Sequence, residues 1–153
     1  MGDSETAEDA FDAARDGQIE RWIHRYLNAE GNNPALSEGL KRAPRAYFGP
    51  IHFPVALLHR CCGPEPSMKY PEPRESFERR VERIGAAIEA GHALPPLIVE
   101  YADDVLTLND GNHRYEALLR SGADTCVVII WTTGAADLRA FRQRFHGMYS
   151  PGA

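Results

Sequence analysis

The sequence predicts an α+β domain in which a sheet is flanked by helices and preceded by an N-terminal helical extension. Hydrophobic residues recur every three or four positions along residues 74–90, which indicates a helix with one buried face. Two apolar runs, 97–101 and 105–108, are separated by Ala-Asp-Asp, which favours a β-hairpin. A third apolar and β-branched run, 126–131, is typical of a buried strand.

Length and composition predict one globular domain. A chain of 153 residues, 43% hydrophobic and 25% charged, can bury a substantial core without disulfide bonds or structural metal ions. It contains no run of about 18 apolar residues and no apolar signal core, so we expect a cytoplasmic location and no membrane partner. The three cysteines, Cys61, Cys62 and Cys126, cannot all pair, and we expect reduced thiols.

The net charge of -5 is unevenly distributed. The first 20 residues hold Arg15 and seven acids, namely Asp3, Glu5, Glu8, Asp9, Asp12, Asp16 and Glu20. The rest of the chain is therefore close to neutral. An anionic ligand remains compatible with this balance, whereas broad nonspecific DNA binding would need a basic face.

The N-terminal third is predicted to begin with a helical region over residues 7–27, which Gly17 divides, followed by a loop over 31–50. That loop is rich in Gly, Asn and Pro and carries basic and aromatic residues at positions 41–48. It is expected to be a solvated surface, with a nucleotide clamp or a nucleic-acid contact as the alternative. Residues 51–55 predict a short strand, and 56–60 predict a helical turn.

Residues 61–73 contain four prolines and one glycine and predict an irregular loop. Loops of this length in a small domain are often functional, and Glu65 and Glu72 are its candidate carboxylates. Cys61 and Cys62 could be redox-active or bind metal, but no second cysteine or histidine pair has metal-binding spacing. We therefore expect inert thiols and predict no metal site.

The segment Asn109–Leu119 carries the strongest functional prediction. Asp110-Gly111 follows the hairpin as a tight turn and begins a helix that ends at Gly122. The first-turn N–H groups of a helix lack intrahelical partners and favour an anion, and His113 and Arg114 would add positive charge. The alternative is an ordinary strand-to-helix turn with a solvated first turn.

A last helix is predicted after the strand at residues 126–131, with Leu138, Phe141 and Phe145 on its packing face.

The region from Leu94 to Trp131 resembles the ParB N-terminal-like and sulfiredoxin superfamily. It has a proline-led strand, a hairpin, a DGxHR turn, a helix with a glycine stop and a β-branched strand, in that order. The resemblance extends over roughly residues 50–132 and implies a mixed sheet with flanking helices. We divide the chain into an N-terminal helical extension and loop, 1–48, and a ParB/sulfiredoxin-like domain, 49–153, which together are expected to form one compact unit.

The branches of this superfamily differ within the motif. Sulfiredoxins are similar through Gly111, His113, Arg114, Tyr115 and Ala117, but their nucleophilic cysteine corresponds to Asn112, and an amide cannot replace it. ParB proteins bind CTP and carry a downstream helix-turn-helix domain, for which we expect no room before Ala153. The motif looks closest to that of the free-serine kinases, which have a DGxHR turn and a glutamate base in the loop after the first strand.

This resemblance implies roles for individual residues. Gly111, Asn112, His113 and Arg114 would bind nucleotide phosphates, and Glu65 would act as the general base. Asp110, which could assist through Mg²⁺, and His113 complete the candidate catalytic set, while Lys41 and Lys69 are possible partners of phosphate or an acidic substrate. The implied nucleotide is ATP or ADP, with CTP as the alternative.

We therefore expect a nucleotide-binding protein that transfers phosphate to a small hydroxyl-bearing substrate. A non-catalytic nucleotide sensor or nucleic-acid-binding module is the alternative. A nuclease is less favoured because the sequence lacks clustered carboxylates. The sequence leaves the acceptor substrate and the oligomeric state open.

Overall fold

The computed structural model describes residues 6–148, so Asp3 and Glu5 of the acidic segment lie outside the described residues. The predicted α+β class is confirmed. The elements, in chain order, are α1 (Ala7–Arg15), α2 (Ile19–Leu27), α3 (Pro34–Leu40), β1 (Ala46–Pro54), a 3₁₀ turn (Val55–Leu57), β2 (His59–Arg60), β3 (Cys62–Gly63), β4 (Tyr70–Pro71), α4 (Arg74–Glu89), β5 (Leu97–Ala102), β6 (Val105–Asp110), α5 (Asn112–Arg120), β7 (Thr125–Thr132) and α6 (Gly134–Arg144).

The main sheet is mixed and has five strands in the order β1-β7-β5-β6-β2. β1 pairs antiparallel with β7, and β5 pairs antiparallel with β6. β5 is parallel to β7, and β2 is parallel to β6. The short strands β3 and β4 form a separate parallel pair within the proline-rich loop.

Helices cover both faces of the sheet. Along β7, Val128 and Ile130 belong to the same core cluster as residues of α5 and α6. Ile129 and Trp131 point to the other face, where they pack in a cluster with residues of α1, α2 and α3. A strand that is buried on both sides must be apolar throughout, which explains the uninterrupted hydrophobic run in β7.

The helix predicted for residues 74–90 and the predicted hairpin are both confirmed. On α4, Phe77 and Val81 are buried and pack against Ala117 of α5, so the two helices lie side by side. The hairpin turn has positive φ at Asp103 (50°) and Asp104 (66°), the conformation of a primed two-residue turn.

The predicted loop over residues 31–50 is wrong, because it contains a helix and half of a strand. The Asn33 side chain accepts a hydrogen bond from the backbone N–H of Leu36 at 3.3 Å and caps α3, which begins with Pro34. β1 then starts at Ala46, and its register with β7 shifts between Phe48 and Ile51. The intervening Gly-Pro pair concealed the strand, since proline cannot donate to the ladder.

The predicted break at Gly17 is confirmed by the separation of α1 from α2. No helix within residues 6–148 has the length and apolar character needed to cross a membrane. The division at residue 48 stays a prediction, and the packing of α1–α3 on the sheet provides a way to test it.

If the N-terminal helices and the sheet unfold as one unit, Ile23→Ala should destabilise the whole chain. Ile23 is fully buried against the sheet, and removing such a side chain costs about 2–5 kcal/mol. We expect this loss in urea denaturation followed both by circular dichroism and by tryptophan fluorescence. Arg21→Ala, on the exposed side of the same helix, is the matched control. Two separate transitions in Ile23→Ala would contradict the single unit.

Candidate functional site

The candidate site is centred on the turn between β6 and α5. Gly111 occupies this turn with φ of 101°, a conformation that L-residues rarely adopt. A Cβ at this position would lie 2.5 Å from Cδ2 of Leu97 and 2.8 Å from Nη2 of Arg114. The chain therefore requires glycine here both for backbone conformation and for space.

The first turn of α5 borders an open cleft of about 1010 Å³. The N–H of Tyr115 donates to the carbonyl of Gly111 at 2.8 Å, which closes the first helical turn. No side chain within the described part of the chain caps this terminus. The N–H groups that precede Tyr115 in the helix thus have no intrahelical acceptor, and together with the helix dipole they favour an anion in the cleft.

Asp110, the last residue of β6, is buried, and both of its carboxylate oxygens accept hydrogen bonds. Its Oδ1 accepts from Asn33 Nδ2 at 3.1 Å, and its Oδ2 accepts from the hydroxyl of Tyr26 at 3.2 Å and from Arg114 Nη2 at 3.3 Å. The side chain of Asp110 therefore connects the turn to α2 and to the start of α3. Burial raises the pKa of Tyr26 well above its usual range, so the phenol stays protonated and donates.

Arg114 lines the cleft, and hydrogen bonds to neighbouring protein groups fix its guanidinium. Its Nη2 donates to the carbonyl of Pro96 at 3.1 Å as well as to Asp110. Its Nε is buried and finds no hydrogen-bond partner among residues 6–148, and buried polar groups of this kind usually have one. The predicted phosphate-binding role of Arg114 stays a prediction, and this geometry also gives it a role in positioning the turn.

Asn112 uses its side chain to hold the proline-rich loop against α5. Its Oδ1 accepts from the backbone N–H groups of Cys61 at 2.9 Å and Cys62 at 3.2 Å, and its Nδ2 donates to the carbonyl of Leu108 at 3.2 Å. Because the side-chain amide already has these partners, the backbone N–H of Asn112 is the group of this residue that remains for an anion at the helix terminus.

His113 contacts Glu72, which was a candidate carboxylate in the sequence. The His113 Nε2 lies 2.7 Å from Oε1 of Glu72, and the Ser76 hydroxyl donates to Oε2 at 3.0 Å. The Cys62 thiol lies 3.6 Å from the same Oε1. Burial opposes ionisation of Glu72, but the hydrogen bonds from His113 and Ser76 hold its pKa below the ordinary value.

The three cysteines are free, as predicted. Cys61 is buried, and its thiol donates to the carbonyl of Leu108 at 3.0 Å. Burial raises the pKa of Cys62 to about 11, with a further contribution from the Glu72 carboxylate, and burial alone raises that of Cys126 to about 11. Burial raises the pKa of Cys61 as well, so all three are protonated thiols near neutral pH.

Glu65 lies in the proline-rich loop and pairs with Arg60. Its Oε2 is 2.8 Å from Nη2 and its Oε1 is 3.2 Å from Nη1, a two-pronged ion pair. The hydrogen bonds from Arg60 lower the pKa of Glu65. Glu65 does not line the cleft, whereas Glu100 of β5 does, and burial raises the pKa of Glu100.

The two lysines that were predicted to contact phosphate, Lys41 and Lys69, do not both line the cleft. Lys69 lines the cleft, and its Nζ lies 5.4 Å above the Tyr70 ring. Lys41 lies outside the lining and pairs with Glu38 at 3.6 Å. Arg80 of α4 also lines the cleft, so the lining holds the basic residues Lys69, Arg80, His113 and Arg114 together with the acidic residues Glu30, Glu100 and Asp110.

Comparison with known proteins gives matches among solved structures only. No protein-family model matches the chain, and no curated protein does. The chain is similar to sulfiredoxin from Arabidopsis thaliana, with 21% identity and a TM-score of 0.40, over 61% of this chain and 96% of that one. A Pnob8-like ParB-N domain gives 14% identity and a TM-score of 0.41, over 66% of this chain and 34% of that one.

A third similar structure is the C-terminally truncated chromosome-partitioning protein ParB from Caulobacter crescentus, complexed with CTP-gamma-S. It shares 20% identity at a TM-score of 0.38, over 67% of this chain and 53% of that one. The chain therefore spans about a third and about half of the length of the two ParB chains.

Sequence reasoning missed several cleft residues. Asn33 could have been found, because Asn-Pro before an apolar residue is a common helix start. Glu100 could have been singled out as the one charge in an otherwise apolar strand. Tyr26 and Arg80 carried no such signal, since each follows the ordinary pattern of its helix.

Gly111→Ala should destabilise the protein by about 1–3 kcal/mol, because the substitution strains the backbone and forces Leu97 or Arg114 to move. Gly85→Ala is the matched control. Its Cβ would meet no atom within 4 Å, and in the interior of α4 it should stabilise by about 0.5–1 kcal/mol. Urea denaturation measures both, and equal stability of Gly111→Ala and the parent would contradict the required close approach.

Proposed function

We propose that the protein binds a nucleotide in the cleft, with its phosphates at the N-terminus of α5, and transfers phosphate to a small hydroxyl-bearing substrate. The observation that carries this proposal is the uncapped first turn of α5, which opens on the cleft beside four cationic or ionisable basic side chains. Such a terminus provides N–H donors and a positive dipole end for phosphate oxygens. The sequence motif resembles that of nucleotide-binding relatives at this same turn.

The size and charge of the cleft support a nucleotide together with a second substrate. Ligand sites usually occupy about 300–1,000 Å³, and this cleft has about 1010 Å³. Lys69 of the proline-rich loop and Arg80 of α4 line the same cleft as the α5 terminus. A phosphate chain at the terminus could thus be neutralised by both side chains.

The described residues offer little to hold Mg²⁺ directly. Asp110 is the carboxylate next to the turn, and its two oxygens already accept three hydrogen bonds. To ligate a cation it would have to give up one of these donors. When Mg²⁺ accompanies the nucleotide, we expect phosphate oxygens and water to supply most of its ligands.

Two carboxylates compete for the role of general base. The resemblance implies Glu65, but its pair with Arg60 lowers its pKa and makes it a weaker base. Glu100 lines the cleft, and burial raises its pKa toward the range in which a base works near neutral pH. We favour Glu100 as the group that takes the proton from the attacking hydroxyl, and Glu65 remains the alternative.

A non-catalytic nucleotide-binding module is the second candidate. The complete hydrogen bonding of Asp110 favours it, because a carboxylate held in this way positions the turn rather than reacting. A nuclease is less favoured. Among residues 6–148, no three carboxylates gather closely enough to share a metal ion.

A selective nucleotide should raise the thermal midpoint of the protein. We expect ATP, ADP or CTP, with or without Mg²⁺, to do so in a panel that includes GTP as the comparison. A ligand at 100 times its dissociation constant stabilises the native state by about 2.7 kcal/mol. Lys69→Ala and Arg80→Ala should each weaken binding about fivefold, or about 1 kcal/mol, through the loss of one phosphate contact.

Arg79→Ala is the matched control for this binding experiment. Arg79 precedes Arg80 on α4, is exposed and does not line the cleft, so its removal should leave the affinity unchanged. If none of the four nucleotides raises the midpoint, the proposal fails. It also fails if the Lys69/Arg80 double variant binds as tightly as the parent.

The choice of base has a separate test. With ATP or ADP and a panel of small hydroxyl compounds that includes free serine, phosphorylated product can be followed by phosphorus NMR. Glu100→Gln should lower the turnover about 10²–10⁴-fold, and Glu65→Gln should change it little. The reverse result would assign the base to Glu65. Nucleotide binding without any turnover in the parent would favour the non-catalytic module.

A further inference from the structure

A thiol, a carboxylate and an imidazole gather beside the cleft. Cys62 belongs to β3, Glu72 follows β4, and His113 lies in the first turn of α5. One ligand atom from each lies within 4.8 Å of both others. Within the described part of the chain, no other group of three such side chains comes this close.

These donors are the types that zinc prefers. Cysteine sulfur, histidine nitrogen and carboxylate oxygen are its usual protein ligands, and three of them with an open fourth position are typical of non-structural zinc sites. We propose that Cys62, Glu72 and His113 bind one Zn²⁺ ion, with the fourth coordination position facing the cleft. Because zinc binds the thiolate, the Cys62 thiol releases its proton to solvent when the ion binds. Cys62 and His113 line the cleft, whereas Glu72 does not belong to its lining.

Two of the three distances between the ligand atoms are compatible with a tetrahedral ion after a small movement, and the third, between Cys62 and His113, is at most 4.8 Å. Ordinary zinc bond lengths place a sulfur and an oxygen ligand about 3.6 Å apart and a nitrogen and an oxygen about 3.4 Å apart. The Cys62 sulfur and Glu72 Oε1 are already 3.6 Å apart. His113 Nε2 is 2.7 Å from that oxygen, so the imidazole and the carboxylate need to separate by less than about 1 Å.

Surrounding contacts hold the ligands in place. Ser76 donates to Oε2 of Glu72, which leaves Oε1 for the ion. The His113 ring packs on Phe77, with their centroids 5.1 Å apart. The backbone N–H of Glu72 donates to the carbonyl of Gly63 at 2.8 Å and joins the two sides of the loop. Contacts of this kind orient metal ligands and raise affinity.

The positive charge of Arg80 lies close to the proposed zinc site and would repel the zinc ion. Arg80 Nη1 lies 3.9 Å from Glu72 Oε2, and its side chain is 58% exposed. An exposed arginine pair of this kind contributes little stability, so the guanidinium can turn toward solvent when a cation binds. The zinc proposal does not rest on nucleotide binding, and it is tested on nucleotide-free protein.

The test uses the untagged 153-residue chain, kept reduced with a phosphine. Zn²⁺ is titrated against a chromophoric chelator, and Co²⁺ serves as the spectroscopic probe of the ligand atoms. We expect one tight site per chain and a thiolate-to-cobalt charge-transfer band. Cys62→Ser and Glu72→Gln should each weaken zinc binding by about 100-fold or more, and Cys62→Ser should abolish the band.

Cys61→Ser is the matched control, because its side chain bonds to Leu108 and lies outside the three-ligand group. It should retain both the affinity and the band. Circular dichroism checks the fold of each variant, and Glu72→Gln serves if Cys62→Ser does not fold. The proposal is overturned if the parent binds no stoichiometric zinc. It is also overturned if a folded Cys62→Ser or Glu72→Gln binds as the parent does, or if Cys61→Ser loses the site.

Discussion

The buried carboxylate of Asp110 is the constraint on which the site depends. A charge taken out of water costs several kcal/mol unless hydrogen bonds and an opposite charge compensate for it. Tyr26, Asn33 and Arg114 supply that compensation from three different elements. The turn at Gly111 is therefore connected through this carboxylate to α2 and to the start of α3. The N-terminal helices thus form part of the support of the candidate site, although they precede the recognisable motif.

This arrangement separates the groups that build the turn from those that face a ligand. Asp110 and the amide of Asn112 are buried and committed to other parts of the chain. What remains for a ligand is the row of backbone N–H groups at the α5 terminus, with Lys69 and Arg80 on the other elements that line the cleft. His113 belongs to both groups, because it lines the cleft and also contacts Glu72 of the proline-rich loop. The same histidine therefore links the proposed nucleotide site to the proposed zinc site.

Local sequence patterns predicted the elements whose signals are local. The periodicity of α4, the turn at Asp103 and the glycine stop after α5 each depend on residues close in sequence. The helix α3 was missed because its Asn-Pro start lay in a segment rich in turn formers. The contacts that shape the site could not be predicted from local sequence patterns. Asp110 and Tyr26 are 84 positions apart, and His113 and Glu72 are 41 apart, so only the folded sheet and loop bring them together.

The central claim is that the first-turn N–H groups of α5 bind nucleotide phosphates. Amide chemical shifts of nitrogen-15-labelled protein, recorded during titration with ATP, ADP and CTP, test it most directly. The account predicts saturable shifts at the amides of Asn112, His113 and Arg114 that are larger than those at the exposed end of the same helix, near Arg120. Nucleotide-induced shifts confined to other surfaces, with these three amides unchanged, would contradict it.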